Sequence, residues 1–254
     1  MHLEERLEFI ASLPALPVAP PSIRTFLSPE TPAHDTNKPT ASVMPDTIDA
    51  FLPGVSQETI DDVNLCKLIM QNAATKFFPK DEQLFEWYKY YVDGLSKIGW
   101  VIQNKNLQEI TINKVGLTMD QVALEVAKGL VGGNAAQVLA NVAKQAVAHV
   151  QQSPRAIDIF TREKRLGTQA KFDIAPVWVD AGNRANMVLN CISLDAREST
   201  RGILFWKSTR QSTTIKTGAV RTYLDNKTFS GIRSAIYDKY VEEGKKFILD
   251  LPDF

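Results

Sequence analysis

Hydrophobic positions along this chain change period twice. From Ser56 they recur every three or four residues: Val63, Leu65, Leu68 and Ile69 lead toward Phe77 and Phe78. After Pro79 comes a second series, Leu84, Tyr88, Tyr91, Leu95 and Ile98, ended by Gly99. That spacing marks one face of a helix. Trp100–Gln103 and Glu109–Lys114 alternate instead, and predict two short strands joined at Asn104–Asn106. The helical period returns at Thr118-Met-Asp-Gln121, which has the form of a capping box, and runs through Val122, Val126 and Leu130. A following alanine-rich helix carries Val138, Leu139, Val142, Ala146 and Val150 behind a cap at Asn134.

From Lys171 the period is two. Lys171–Asp180, Ala185–Asp195, Arg201–Ser208 and Thr213–Leu224 predict four strands in two hairpins, turning at Ala181–Arg184 and Arg210–Ser212. Alternate residues of a strand point to opposite faces. In Arg201–Lys207, Ile203 and Phe205 therefore oppose Leu204 and Trp206, and neither face suits water. Leu189 and Cys191 oppose Val188 and Ile192 in the same way. Pro176 places the first of these strands at an edge or a bulge. A last helix with Phe229, Ile232, Ile236 and Tyr240 is capped by Asn226 or Thr228 and closes at Gly244, with an edge strand at Phe247–Leu249. The expected fold is α/β: three layers, α/β/α, with a mainly antiparallel sheet covered by helices on both faces.

Residues 1–50 break from this pattern. They hold eight of the thirteen prolines, which lack a backbone donor and restrict the preceding residue. The segment reads as a proline-rich arm unable to pair regularly, with one short helix near Glu4–Ser12. It is either a disordered tail or a strap burying Leu13, Leu16, Val18 and Phe26. Residues 51–254 form the single folded domain.

Composition narrows the function classes. The net charge is zero, so the whole molecule has no field that selects nucleic acid. Cys66 and Cys191 lie too far apart for a metal knuckle and leave the compartment open. The N-terminus is acidic with no long apolar core after it, unlike a secretory leader, and no run reaches the roughly 18 apolar residues of a membrane span. The expectation is a protein made soluble that leaves the cell, if at all, by lysis or another unconventional route.

Charge is uneven, however. Arg155 to Arg221 holds twelve basic residues against six acidic, and the first fifty residues hold seven acids against three bases. These are ordinary solvated faces, or an acidic arm shielding a basic sheet region that meets anionic lipid. On the second reading Trp206, Lys207, Arg210, Lys216 and Arg221 contact the membrane, joined by interfacial aromatics among Trp87, Tyr88, Tyr90 and Trp100.

No catalytic constellation is legible, and no cofactor-binding or metal residue is expected. His149 is the one histidine outside the arm, since His2 and His34 lie within it. No nucleophile elbow, P-loop or zinc-helix motif occurs. Gly129–Gly133 lacks the preceding strand of a dinucleotide site, and the spacing of Asp173, Asp180 and Asp195 does not single them out as paired acids. Cys191, mid-strand, is either a small buried apolar residue or the attachment point of a thioester-linked fatty acid in a slot under the alanine-rich helix. Cys66 is the poorer candidate, because Lys67 beside it suggests a helix edge.

The two-helix block Thr118–Gln152, the segment Ile203-Leu-Phe-Trp-Lys-Ser-Thr209, the Ser/Thr-rich strand after it and Asp225–Lys239 resemble the Cyt-type δ-endotoxins and related α/β cytolysins, a group that includes bacterial virulence factors and fungal cytolysins. The resemblance covers about residues 51–254. It implies a soluble monomer or dimer acting as a membrane-permeabilising, pore-forming toxin or virulence protein, insecticidal in some members. Its partner is a lipid membrane, its helical layers swing off the sheet, and it forms homo-oligomers on the bilayer. The competing reading from the residues is a non-lytic binding module or carrier for a fatty acid or other apolar ligand.

Overall fold

A computed structural model describes residues 1–17, 33–128, 133–161, 169–195, 207–208 and 212–254. The strands are β1 (Thr40–Met44), β2 (Thr47–Phe51), β3 (Trp100–Ile112), β4 (Gln169–Val179), β5 (Ala185–Asp195), β6 (Thr213–Leu224) and β7 (Leu249–Asp250). Among the described residues they make one seven-stranded sheet in the order β3-β6-β5-β4-β2-β1-β7. Every neighbouring pair is antiparallel except β2 and β4, which run parallel. The helices are α1 (Leu3–Ser12), α2 (Gln57–Phe77), α3 (Leu84–Lys97), α4 (Met119–Lys128), α5 (Gly133–Gln152), α6 (Pro154–Phe160), α7 (Asn226–Ser230) and α8 (Arg233–Gly244).

The alternation of the strands sorts the core into two layers. Phe51, Val177, Met187, Leu189, Cys191, Val220 and Leu224 pack against α2, α3 and α8. Ile48, Ala50, Phe172, Ile174, Ile192, Ile215 and Ala219 point the other way, against α4, α5 and α6. Neighbours in sequence thus fall into different cores, as period two requires. The fold is the expected three-layer α/β/α, with helices on both faces of a mainly antiparallel sheet.

Several local expectations need correction. Thr40–Phe51 is not part of an unpaired arm: it is a hairpin whose two strands are buried at every residue, with β2 parallel to the middle strand β4. Pro39 and Pro45 sit outside its two strands, so they punctuate the pairing rather than prevent it. β4 is central despite Pro176. The missing donor is tolerated because the β4–β5 ladder lapses between Phe172↔Ile192 and Val177↔Met187. Residues 100–114 hold one long strand, not two: the expected turn at Asn104 is a register shift between Ile102 and Asn104 against β6. The Thr118 capping box is not formed, since the Gln121 Oε1 atom is buried with no hydrogen-bond partner. Asp225, not Asn226 or Thr228, caps α7 through the Thr228 N–H. The expected strand at Arg201–Ser208 lies outside the described residues apart from Lys207 and Ser208, where Lys207 bridges Thr118.

Helix α3 reaches the sheet at Gly218. A Cβ there would fall 2.2 Å from the Tyr88 ring, so the glycine is what allows the ring to lie on β6. Replacing it with alanine forces an overpacked contact, and Gly218→Ala is expected to cost about 1–3 kcal/mol, read from the denaturant midpoint. An unchanged midpoint would mean that α3 shifts on the sheet without penalty.

Candidate functional site

α2 packs beside α3 and α8 on one face of the sheet, and its residues from Asp62 to Met70 are all buried. One of them is Lys67, which has no solvent exposure. Its ammonium group meets two equally hidden carboxylates. Asp49 comes from β2 and Asp173 from β4, on the parallel pair at the middle of the sheet. Lys67 Nζ contacts Asp49 Oδ1 and lies 2.8 Å from Asp173 Oδ2. The other oxygen of Asp173 accepts the Asn190 backbone N–H at 2.8 Å, and Asn190 Nδ2 donates to the Ile174 carbonyl at 3.0 Å. Side chains thereby replace the rungs missing beside Pro176.

The cluster holds one cation and two potential anions. Burial is the largest influence on Asp49 and outweighs the nearby lysine, pushing its carboxyl up to about 6. Burial alone would lower Lys67, but Asp173 and Asp49 outweigh it and hold the ammonium above its ordinary value. The two shifts agree: the lysine stays charged, and the surplus carboxylate is the group under strain. Asp49 Oδ2, Asn190 Oδ1 and the hydroxyls of Tyr88 and Tyr91 are buried nearby without hydrogen-bond partners. Burial raises both tyrosine hydroxyls far above the usual range, so they remain protonated.

Asp173 also reaches the wall of a small, partly open cavity of about 60 Å³. Its apolar lining comes from Leu16, Leu68, Trp87, Phe172, Cys191 and Phe247. Leu16 and Pro17 close one side, carried there by the segment after α1. That segment is fastened by few groups. Lys239 Nζ donates to the carbonyls of Ile10, Ala11 and Leu13 at 2.9, 2.7 and 2.8 Å, satisfying the end of α1. Arg6 reaches the Ser96 and Lys97 carbonyls at 3.1 and 2.6 Å, and Asn72 holds the Ala15 carbonyl at 3.3 Å. Residues 1–17 are therefore a strap across the α2–α3–α8 layer.

Cys191 is buried on the cavity wall, on the α2–α3 side. The slot expected under alanine-rich α5 is thus on the wrong face: α5 packs against Ile192's side of β5. No disulfide joins Cys191 to Cys66, whose thiol burial pushes well up. Lys67 marks no helix edge. Trp206 and Arg210 lie outside the described residues. Lys207 is exposed. Lys216 and Arg221 are half-buried on opposite faces of β6, the latter with its guanidinium 6.0 Å from the Trp178 ring centre. Lys216 and Arg221 therefore do not share one face of β6. Trp87, Tyr88 and Trp100 are core residues, and Tyr90 is half-buried.

The three aspartates considered as paired acids are dispersed. Asp180 sits in the β4–β5 turn, where the Arg184 side chain holds it down to about 2. Asp195 ends β5 opposite Gln169, and Asp173 is in the core. His149 stacks on Phe254 with centroids 4.7 Å apart. His34 bridges Asp253 and the Val55 carbonyl, tying the chain before β1 to the C-terminus. Among the described residues no group of His, Cys, Asp and Glu is arranged to hold a metal ion. The cluster that does form went unread, although each member is a charge inside an apolar run: Lys67 after Leu65-Cys66, Asp49 after Ile48, and Asp173 between Phe172 and Ile174.

No family model matches the chain, and no curated protein matches it. Among solved structures, the chain is similar to one described as the Evf virulence factor, at 12% identity and a TM-score of 0.40, covering 94% of this chain and 89% of that one. It is also similar to a delta-endotoxin, at 9% identity and a TM-score of 0.35, covering 78% and 85%. Neither likeness bears on chemistry.

Removing the cation would leave two carboxylates facing each other in the core. Lys67→Met is expected to cost about 3–5 kcal/mol at pH 8. Part of that should return at pH 5, where the orphaned carboxyls take up protons, and urea titrations at both pH values read the difference. A loss that is equal at both would place the penalty in packing rather than charge.

Proposed function

We propose that this chain is a membrane-active, toxin-like protein whose sheet is kept from lipid by its two helical layers. The observation that carries this reading is strand length. β3, β6, β5 and β4 lie side by side and antiparallel, with 13, 12, 11 and 11 residues. A tilted strand crosses the hydrocarbon core in roughly 9–11 residues. The remaining strands have only 5, 5 and 2 residues. No helix among the described residues is long and apolar enough to cross a membrane. Four strands are fewer than the roughly eight of the smallest transmembrane barrels, so permeabilisation in this form requires several copies on the bilayer.

A second reading, a carrier for an apolar ligand, is favoured by the cavity beside Cys191. An acyl chain there, as a thioester or held without a bond, would have Leu68, Trp87 and Phe247 as neighbours. Intact mass of protein from its natural source, before and after hydroxylamine, reads the covalent form.

Dye release separates lysis from carriage. Leakage from vesicles of anionic or zwitterionic lipid supports the first reading, and tight vesicles with bound protein leave only the second. The strap gives a sharper test. Deleting residues 1–17 uncovers the α2–α8 layer without touching a strand, and is expected to raise vesicle binding severalfold in a flotation assay. Binding no greater than that of the full chain would end the masking role.

A further inference from the structure

The fastening of α2 to the sheet contains an imbalance. Along that interface the described polar contacts are those of Gln57, Asn64, Lys67 and Gln71. Lys67 alone brings a formal charge to the strands, and it meets two carboxylates. Asp49 is fully buried and one of its oxygens has no partner. With both aspartates ionised, an uncompensated negative charge sits between helix and sheet, in surroundings that penalise it. With one proton added the cluster is neutral, and the proton gives the bare Asp49 oxygen a hydrogen to donate.

We propose that the Lys67–Asp49–Asp173 cluster is a proton-operated latch, closing α2 onto β2 and β4 when it holds a proton and loosening that layer when it does not. This rests on the reading above, in which a helical layer must leave the sheet before strands meet lipid. Water reaches the cluster through Asp173, which shares the cavity wall with Leu16 and Pro17 of the strap.

The two tyrosines and Cys66 beside the cluster do not titrate in the same interval. From α3 the cluster is faced by Tyr88 and Tyr91, and from α2 itself by Cys66, all held protonated by burial. From β5 come Asn190, which does not ionise, and the thiol of Cys191. Asp62, a turn away on α2, is raised by burial but is engaged by Tyr237 and Arg233 on α8. A carboxyl whose value is higher when packed than when exposed keeps its proton only in the packed state. Closure therefore gains on acidification and loses that gain as pH rises through the packed-state value of about 6.

Hydrogen exchange of the α2 amides in the full-length protein reads the opening equilibrium directly. With an exposed value near 4 for aspartate, opening of α2 is expected to fall about tenfold from pH 8 to pH 5 after correction for intrinsic exchange. Asp49→Asn, which fixes the neutral form, should be equally protected at both pH values. Opening in the native protein that is unchanged or rises toward pH 5, or a variant keeping the full slope, would overturn the latch. Carbon NMR titration of the Asp49 carboxyl in unsubstituted protein decides the matter if the variant does not fold: a midpoint near 4 overturns it and one near 6 upholds it. Vesicle leakage run alongside is expected to be faster at pH 8 than at pH 5. Leakage at neither pH would sink the membrane reading, while the exchange slope still decides the latch.

Discussion

A lysine with no water around it constrains the centre of this fold more than any other group. Burying an ammonium is costly unless opposite charges meet it, so α2 can dock only where Asp49 and Asp173 both point. Those residues lie on different strands from distant parts of the chain, joined as the one parallel pair among the described strands. The cluster thus links three segments at a single point. It also explains the irregularity of β4: the Asp173 carboxylate takes the Asn190 N–H where the ladder lapses, so the polar group that binds the lysine also repairs the strand.

The layers and the long strands were legible because periodicity reports burial, and burial on both strand faces demands two helical covers. What stayed hidden was set by partners remote in sequence. Nothing local marks Thr40–Phe51 as strands beside β4; the prolines around it suggest the opposite, and only pairing with β4 makes its residues core. Pro176 misled for a related reason, since the ladder lapses beside it and side chains take over there, Asp173 accepting the Asn190 N–H and Asn190 Nδ2 donating to the Ile174 carbonyl. Lys67 looked like a helix edge because lysine usually is one. The sharper signal was its position inside Leu65–Met70, where a solvated face has no room. Cys191 was placed on the right strand face, but which helices cover that face is decided by topology, and alternation alone cannot say.

The chain termini add a second constraint. Leu251 donates its backbone N–H to the Ala41 carbonyl and Phe254 to that of Pro39, while His34 and the Asp35 N–H both hold Asp253. The C-terminal residues therefore lock the β1 edge. The strap, by contrast, is held by carbonyls that accept from Lys239, whose charge burial makes less favourable, and from Tyr240, and by Ile10, Leu13 and Leu16 packed on the helices. Of the two N-terminal attachments, the hairpin is built into the sheet and residues 1–17 lie across the helical layer. A surface meant to be uncovered would be covered in the second way.

The two helical layers consequently differ in kind. Against α4, α5 and α6 the sheet offers Ile174, Ile192, Ile215 and Ala219, an apolar contact that answers to temperature and to lipid but carries no titrating pair among these residues. Against α2 it offers a charged cluster under a cavity closed by the strap. On the proposed latch, a change in acidity acts on the α2 cover through that cluster. If the strands reach a membrane by shedding their covers, the order of shedding is not symmetric. On the proposed latch, the α2 side waits on the loss of a proton and on residues 1–17, and the α4–α6 side on an apolar surface that competes for its side chains.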